Sequence, residues 1–294
     1  MKIFVCLKEV IDPALSLDNG LRHGIVFKEG LPRRLNPSDA AALVLALNLK
    51  SVNPNVEITA VSIGGAGVES YLRNALALGA DKALRIWNEN LQEITPYQKA
   101  VLLSAVISLS GADLVFTGVR SLDTSSGQVS LLLAARLGFP CIVDVVSLDL
   151  NAEDNSVSIV KDLGRGEREM RRCPLPAVVA VKGEEKLPYA SLDKLIDSKS
   201  GEIALLTPAD LAISPAELKN CPVIITGLTF PRPHPVKAPP LDSSLPAFYR
   251  ILQLLEGGIS KRKGTILEGS ADELTAQLFQ LFLKEGVIKS ALGR

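Results

Sequence analysis

Asp113-Leu114-Val115-Phe116-Thr117-Gly118-Val119-Arg120-Ser121-Leu122-Asp123-Thr124-Ser125-Ser126-Gly127-Gln128-Val129 runs from a continuous apolar segment, through a loop of small and polar residues, into a second apolar segment. Residues 113–117 read as a strand covered on both faces, the pattern of a parallel sheet. Residues 128–137 read as a helix, closed by Gly138, which accepts the left-handed backbone that helix ends need. A strand that passes through a polar loop into a helix is half of a βαβ crossover. Ligands of such sheets sit outside the carboxyl ends of the strands, where the strand order switches, so this loop is the first place to look for a site.

The same alternation extends outward. Apolar, β-rich runs at 3–7, 57–62, 83–87, 113–117, 141–148 and 177–181 predict strands, and 37–50, 68–78, 96–109 and 128–137 predict helices. Helical segments between strands imply crossovers and a doubly wound, mostly parallel α/β sheet with helices on both faces. Asn36-Pro37-Ser38-Asp39 reads as a helix start: an N-cap asparagine, proline at the first helical position and an acid in the first turn. Gly79 ends another helix. Two charged extended stretches, 157–163 and 167–172, flank Gly164-Arg165-Gly166 and predict an antiparallel hairpin inserted before the strand at 177–181. Beyond about 183 prolines gather at 222, 231, 233, 235, 239, 240 and 246, which predicts an extended arm interrupted by helices at 245–255 and 271–284. Leu274, Leu278, Leu281 and Phe282 form a stripe at helical spacing in the second helix. Such a stripe packs on a core or, on an arm, on another subunit.

Composition narrows the function. The chain has 294 residues, 47% of them hydrophobic, with 32 Lys plus Arg balanced by 32 Asp plus Glu. A balanced charge gives no footprint for nucleic acid or an anionic membrane. Cys6, Cys141, Cys173 and Cys221 are scattered and form no CxxC pair, and His23 and His234 are the only histidines, so metal chemistry and histidine acid–base chemistry have little material. The cysteines read as small core residues in a reducing compartment. No run reaches the roughly 20 apolar residues that span a bilayer. A strand-like run begins at Lys2, and the expected location is cytoplasmic.

Within the 118–129 loop, Thr124, Ser125, Ser126 and Gly127 let a ligand approach the backbone at a helix N-terminus, an arrangement suited to phosphate. Asp123 can take ribose hydroxyls or orient the loop. The same residues also fit a plain polar loop with a Ser/Thr cap, which alone explains serine and glycine at a helix start. Ile63-Gly64-Gly65-Ala66-Gly67 is glycine-rich but matches neither GxGxxG nor the Walker pattern, which disfavours a hydride-transferring NAD domain and a P-loop NTPase. Its turn leaves room for an adenine or ribose, and the 36–39 helix start offers a third wall. There is no GxSxG, HExxH or Ser/His/Asp set. Glu184-Glu185 and the mixed-sign run 165–172 read as solvated. The residues describe a nucleotide binder without bond-making machinery.

Several stretches together resemble the β (small) subunit family of electron transfer flavoproteins: KIFVCLKEV at 2–10, Asn36-Pro37-x-Asp39, AVSIG at 60–64, ALALGAD at 75–81, DLVFTG at 113–118 and the region 160–180. Tyr189-Ala190-Ser191-Leu192 resembles the family's partner-recognition loop, and KGTILEG at 263–269 resembles the tail of bacterial members. The resemblance implies an electron carrier, not an enzyme in its own right. An α subunit would hold the redox FAD, and this chain would bury AMP, or a second FAD in an electron-bifurcating member. Cys6, Asn36, Pro37, Ser38, Asp39, Ile63 and the loop Gly118, Val119, Arg120, Ser121, Leu122, Asp123, Thr124, Ser125, Ser126, Gly127, Gln128, Val129 would surround that nucleotide. Leu192 would anchor a flavin dehydrogenase such as an acyl-CoA dehydrogenase. Residues 1–185 would be the nucleotide-binding domain, and 186–294 the recognition loop and an arm packed on the α subunit. Ser38 stands where many relatives carry an aromatic residue, residues 124–127 replace a more acidic loop, and Ser130 replaces a common glycine, which leaves AMP and FAD both open. A self-contained nucleotide-binding or nucleotide-hydrolysing protein on the same fold is the competing expectation.

Overall fold

Thirteen strands and six helices occupy the described part of residues 1–229. The strands are β1 (Lys2–Cys6), β2 (Glu9–Ile11), β3 (Leu21–Arg22), β4 (Ile25–Val26), β5 (Arg33–Leu35), β6 (Glu57–Ile63), β7 (Lys82–Ile86), β8 (Leu114–Gly118), β9 (Cys141–Asn151), β10 (Ser156–Gly164), β11 (Glu167–Pro174), β12 (Ala177–Val181) and β13 (Ile203–Leu206). The helices are α1 (Pro37–Val52), α2 (Glu69–Leu78), α3 (Pro96–Ser110), α4 (Val129–Leu137), α5 (Leu192–Ser200) and α6 (Pro215–Lys219). This is a computed structural model, and it describes residues 1–14, 21–22, 25–26, 31–92, 94–151, 154–183, 187–223, 244–255 and 267–284. The chain divides into two units, Met1–Thr229 and Phe230–Arg294.

The main sheet has nine strands in the order β11-β10-β9-β12-β8-β1-β6-β7-β13. From β9 to β13 every pairing is parallel, while β9, β10 and β11 pair antiparallel. Alternation along the strands feeds two apolar layers. Ile3, Val5, Leu114, Phe116, Ala177 and Val179 meet one layer with residues of α1 and α2. Phe4, Val115 and Val178 meet the other with α3 and α4. The α/β sheet with helices on both faces is thus the one the sequence implies. The expected hairpin is also present: β10 and β11 pair around Gly164, Arg165 and Gly166, whose φ values are 84°, 54° and 84°.

Strand order fixes where a site can lie. The chain steps from β1 to β6 and β7, then returns through α3 to place β8 on the opposite side of β1. The switch point is therefore the β1/β8 boundary, and the loops leaving these strands diverge there.

Part of the segment expected to be an extended arm is folded on the sheet. β13 pairs in parallel with β7 as an edge strand. The Arg73 guanidinium of α2 donates to the carbonyls of Ser198 (3.0 Å), Lys199 (2.9 Å) and Gly201 (3.1 Å), satisfying the open C-terminus of α5. Arg136 joins α4 to α6 by an ion pair with Glu217 at 3.1 Å. The prolines at 231, 233, 235, 239 and 240 lie outside the described residues, as do His23, His234 and Glu184-Glu185. In the second unit, α7 (Ala247–Leu255) and α8 (Ala271–Lys284) form where helices were expected. Leu278, Leu281 and Phe282 of the stripe on α8 are exposed.

Candidate functional site

At the carboxyl ends of β1 and β8, α1 begins with its first turn wedged between them. Asn36 and Asp39 are 2% and 5% exposed, so their polar groups must be matched internally. The Asp39 carboxylate accepts the backbone N–H of Lys8 at 2.8 Å and of Gly118 at 2.9 Å. Asn36 donates through Nδ2 to Asp39 Oδ1 (3.0 Å) and to the Arg120 carbonyl (3.1 Å). Its Oδ1 accepts the Leu122 N–H at 3.1 Å, and its own backbone N–H donates to the Lys8 carbonyl at 2.9 Å. Asn36 stands at the expected N-cap position of α1, ahead of Pro37, but it caps through its backbone carbonyl, which accepts the Asp39 and Ala40 N–H groups at 3.0 Å, and its side chain makes no cap bond to the helix. It is spent on a loop more than 80 residues away, whose backbone groups would otherwise be buried unpaired.

Burial disfavours the charged form of Asp39 and raises its pKa to about 7, against the pull of Asn36, the Lys8 and Gly118 N–H groups and the Lys8 ammonium. Cys6, at the end of β1, has its thiol pushed up by burial and by the Asp39 charge. This is not the environment of a reactive thiolate. Lys8 also reaches across the crevice: Nζ donates to Asp123 Oδ1 at 2.6 Å. That partner holds the Asp123 carboxyl below its usual range although partial burial acts the other way. Asp123 also accepts the Thr124 N–H at 2.6 Å, which ties it to the loop.

The second half of the loop is built differently. Ser121 Oγ and Thr124 Oγ1 lie 2.8 Å apart, and Ser125 N–H donates to the Ser121 carbonyl at 2.9 Å. Ser125 and Gly127 take positive φ values of 51° and 61°. The Ser/Thr cap that the sequence allows is not made. Gln128 occupies the cap position of α4 in a helical conformation, with no side-chain cap bond. Among the described residues, the first-turn N–H groups of Val129, Ser130 and Leu131 have neither an intrahelical acceptor nor a side-chain one. Within that turn, Ser130 is 2% exposed and its Oγ finds no partner among the described residues. A buried hydroxyl and open amides at one helix end suit a phosphate.

The remaining expected residues take simpler places. Pro37 opens α1, and Ser38 lies against Gly118, where a Cβ would come within 2.9 Å of the Ser38 Cβ. Val119 N–H donates to the Val181 carbonyl at 2.8 Å. Ile63 ends β6, partly buried and level with Ile86. The turn after it is packed tightly: a Cβ on Gly64 would meet the Val68 side chain at 2.6 Å and one on Gly67 the Glu9 carboxylate at 3.3 Å. Gly65 faces Trp87. Among the described residues no group of His, Cys, Asp or Glu could hold a metal, and no helix is long and apolar enough to cross a membrane.

This geometry can be set beside known proteins. The family model described as the electron transfer flavoprotein domain matches residues 24–211, which take in α1, β8, the loop and α4. The electron transfer flavoprotein subunit beta of Methylophilus methylotrophus is 31% identical over 218 residues, 73% of this chain and 82% of that protein. The subunit of the same name from Bacillus subtilis is 31% identical over 213 residues, 72% of this chain and 80% of its own. The caffeyl-CoA reductase-Etf complex subunit CarD of Acetobacterium woodii is 30% identical over 218 residues, 73% of this chain and 81% of its own. The chain belongs to the electron transfer flavoprotein β-subunit family.

Two features of this family member were not singled out as site residues. Lys8 lies within the 2–10 stretch, but its contact with Asp123 depends on a loop that only the folded sheet brings near. Ser130 has a buried hydroxyl whose lack of a partner among the described residues shows only in the fold. Leu192 sits apart from the hydrogen-bonded network, as the first residue of α5. It is 71% exposed and borders a surface groove of about 380 Å³ with Arg73, Asn74, Leu195 and Ile196.

Proposed function

We propose that the chain is the nucleotide-holding half of a heterodimeric electron carrier. In this reading it binds an adenine nucleotide, AMP or a second FAD, at the β1/β8 switch point and pairs with an electron transfer flavoprotein α subunit. The observation that carries the reading is the open first turn of α4 beside the orphaned, buried Ser130 hydroxyl. Open backbone N–H groups and the positive end of the helix dipole favour a phosphate there. The adjoining small residues Ser125, Ser126 and Gly127 allow close approach. The FAD held mainly by the α subunit supplies the redox chemistry when bound, and this chain supplies binding, orientation and exclusion of water.

On the same reading, exposed Leu192 is the apolar contact for a flavin dehydrogenase such as an acyl-CoA dehydrogenase. Residues 1–185 hold the nucleotide, and the proline-rich segment with α7 and α8 packs on the α subunit. That assignment gives the exposed stripe of α8 a cover.

The pairing is tested by co-expressing the full chain with a flavin-binding α subunit and passing the product over a sizing column. A yellow one-to-one heterodimer is expected. Two separate, well-behaved proteins, with flavin on neither, would overturn the reading in favour of a self-contained nucleotide binder.

A further inference from the structure

Three groups from two parts of the chain, Asn36 and Asp39 at the start of α1 and Lys8 after β1, converge on one half of the loop after β8. Asn36 fills both of its side-chain donors and accepts at its oxygen, and every bond is internal: Asp39, the Arg120 carbonyl and the Leu122 N–H. Asp39 takes the Lys8 and Gly118 N–H groups as well as Asn36. With both side chains almost wholly buried, neither presents a free polar atom to a ligand in the crevice. Lys8, whose backbone N–H is one of the Asp39 donors, then crosses with its ammonium to Asp123 at 2.6 Å. Asp123 also accepts the Thr124 N–H at 2.6 Å. The loop is thus tied at Gly118, Arg120, Leu122 and Asp123, and it runs from the last tie directly into the open start of α4.

We propose that Asn36, Asp39 and Lys8 are positioning residues: they hold residues 118–123 in register so that the helix start at 128–131 is preformed for its ligand. The inference rests on the nucleotide reading above for the identity of that ligand, but the positioning itself is a property of the free chain. It also explains glycine at 118. A Cβ there would overlap Asp39 Oδ1 and approach Asn36 Nδ2 to 3.0 Å, so the clamp closes only on a residue without one. Preorganisation of this kind acts on affinity, because a loop already ordered loses less freedom on binding.

The test uses the full chain, with AMP and FAD as probes in titration calorimetry and amide hydrogen exchange on the free protein. In Asn36→Ala and Lys8→Met, residues 118–124 should exchange faster while β1 and the rest of β8 keep their protection. The affinity of the probe that binds should fall about tenfold, the equivalent of one or two lost hydrogen bonds. Lys8→Arg keeps the ion pair and should restore wild-type affinity, which a general loss of stability at position 8 would not predict. Unchanged exchange at 118–124 in both variants, or Lys8→Met binding as tightly as wild type, would overturn the positioning role. If the wild-type chain binds neither probe, the nucleotide reading falls, and the exchange result alone decides whether the clamp exists.

Discussion

The carboxylate of Asp39, in the first turn of α1, accepts the backbone N–H of Gly118, at the end of β8, at 2.9 Å. This bond spans 79 positions of chain and closes the switch point of the sheet. It makes both residues hard to replace. Gly118 does not adopt a positive φ, so the cost of a side chain there is steric. Gly118→Ala should displace the buried carboxylate and lower stability by about 2–4 kcal/mol, combining overpacking with a lost buried hydrogen bond. Urea unfolding reads this as a lower midpoint at unchanged slope. A midpoint equal to that of wild type would contradict the packing described.

Asp39 also sets a pH dependence. Its folded pKa is raised to about 7, whereas in an unfolded chain a carboxyl titrates near about 4. Between these values the folded chain holds a proton that the unfolded chain has released. The stability contributed by this group is therefore full below about pH 4, falls as pH rises to about 7 and is level above. The Lys8 ammonium is the charged neighbour that acts on it, and the Asp39 charge in turn raises the Cys6 thiol. Wild type should lose more stability than Asp39→Asn between pH 5 and pH 8, as read from urea midpoints of both proteins at each pH. Parallel losses would show that Asp39 does not titrate in this range.

Ser130 offers a sharper separation of folding from binding. Its hydroxyl is buried and has no partner among the described residues, so removing it relieves an unsatisfied group. Ser130→Ala should leave the melting temperature unchanged or raise it, while weakening AMP by about 1 kcal/mol, roughly fivefold. A lower melting temperature with full AMP affinity would mean that the hydroxyl serves the fold.

The residues that made the sheet legible were short runs such as 177–181, all buried between two helical layers. Their boundaries fall within a few residues of those expected because a strand covered on both faces excludes polar residues. The edge strand β13 was not anticipated. Ile203–Leu206 is only four residues long and pairs with one neighbour, so little of its apolar character is enforced. Asn36 was legible as the residue that opens α1, but its side-chain partners at Arg120 and Leu122 were not, since a sequence displays only near neighbours. The loop at 118–129 was visible as small residues before a helix. The absence of a cap on α4 and the unpaired Ser130 hydroxyl are facts of three-dimensional pairing.

Leu192 gives a prediction about partners. With its side chain largely in solvent, Leu192→Ala should alter stability by no more than about 0.5 kcal/mol. In the heterodimer it should slow electron delivery from the partner dehydrogenase, with the nucleotide and flavin content unchanged. Stopped-flow reduction by the dehydrogenase checks this, and an unaltered rate would remove Leu192 from the recognition surface.

The most direct measurement is of what the chain carries. The heterodimer is purified, denatured with acid, and its released nucleotides are separated and counted against protein. One equivalent of AMP beside one FAD, or two equivalents of FAD, is the predicted result. A single FAD with no further adenine nucleotide would contradict a phosphate site at the start of α4.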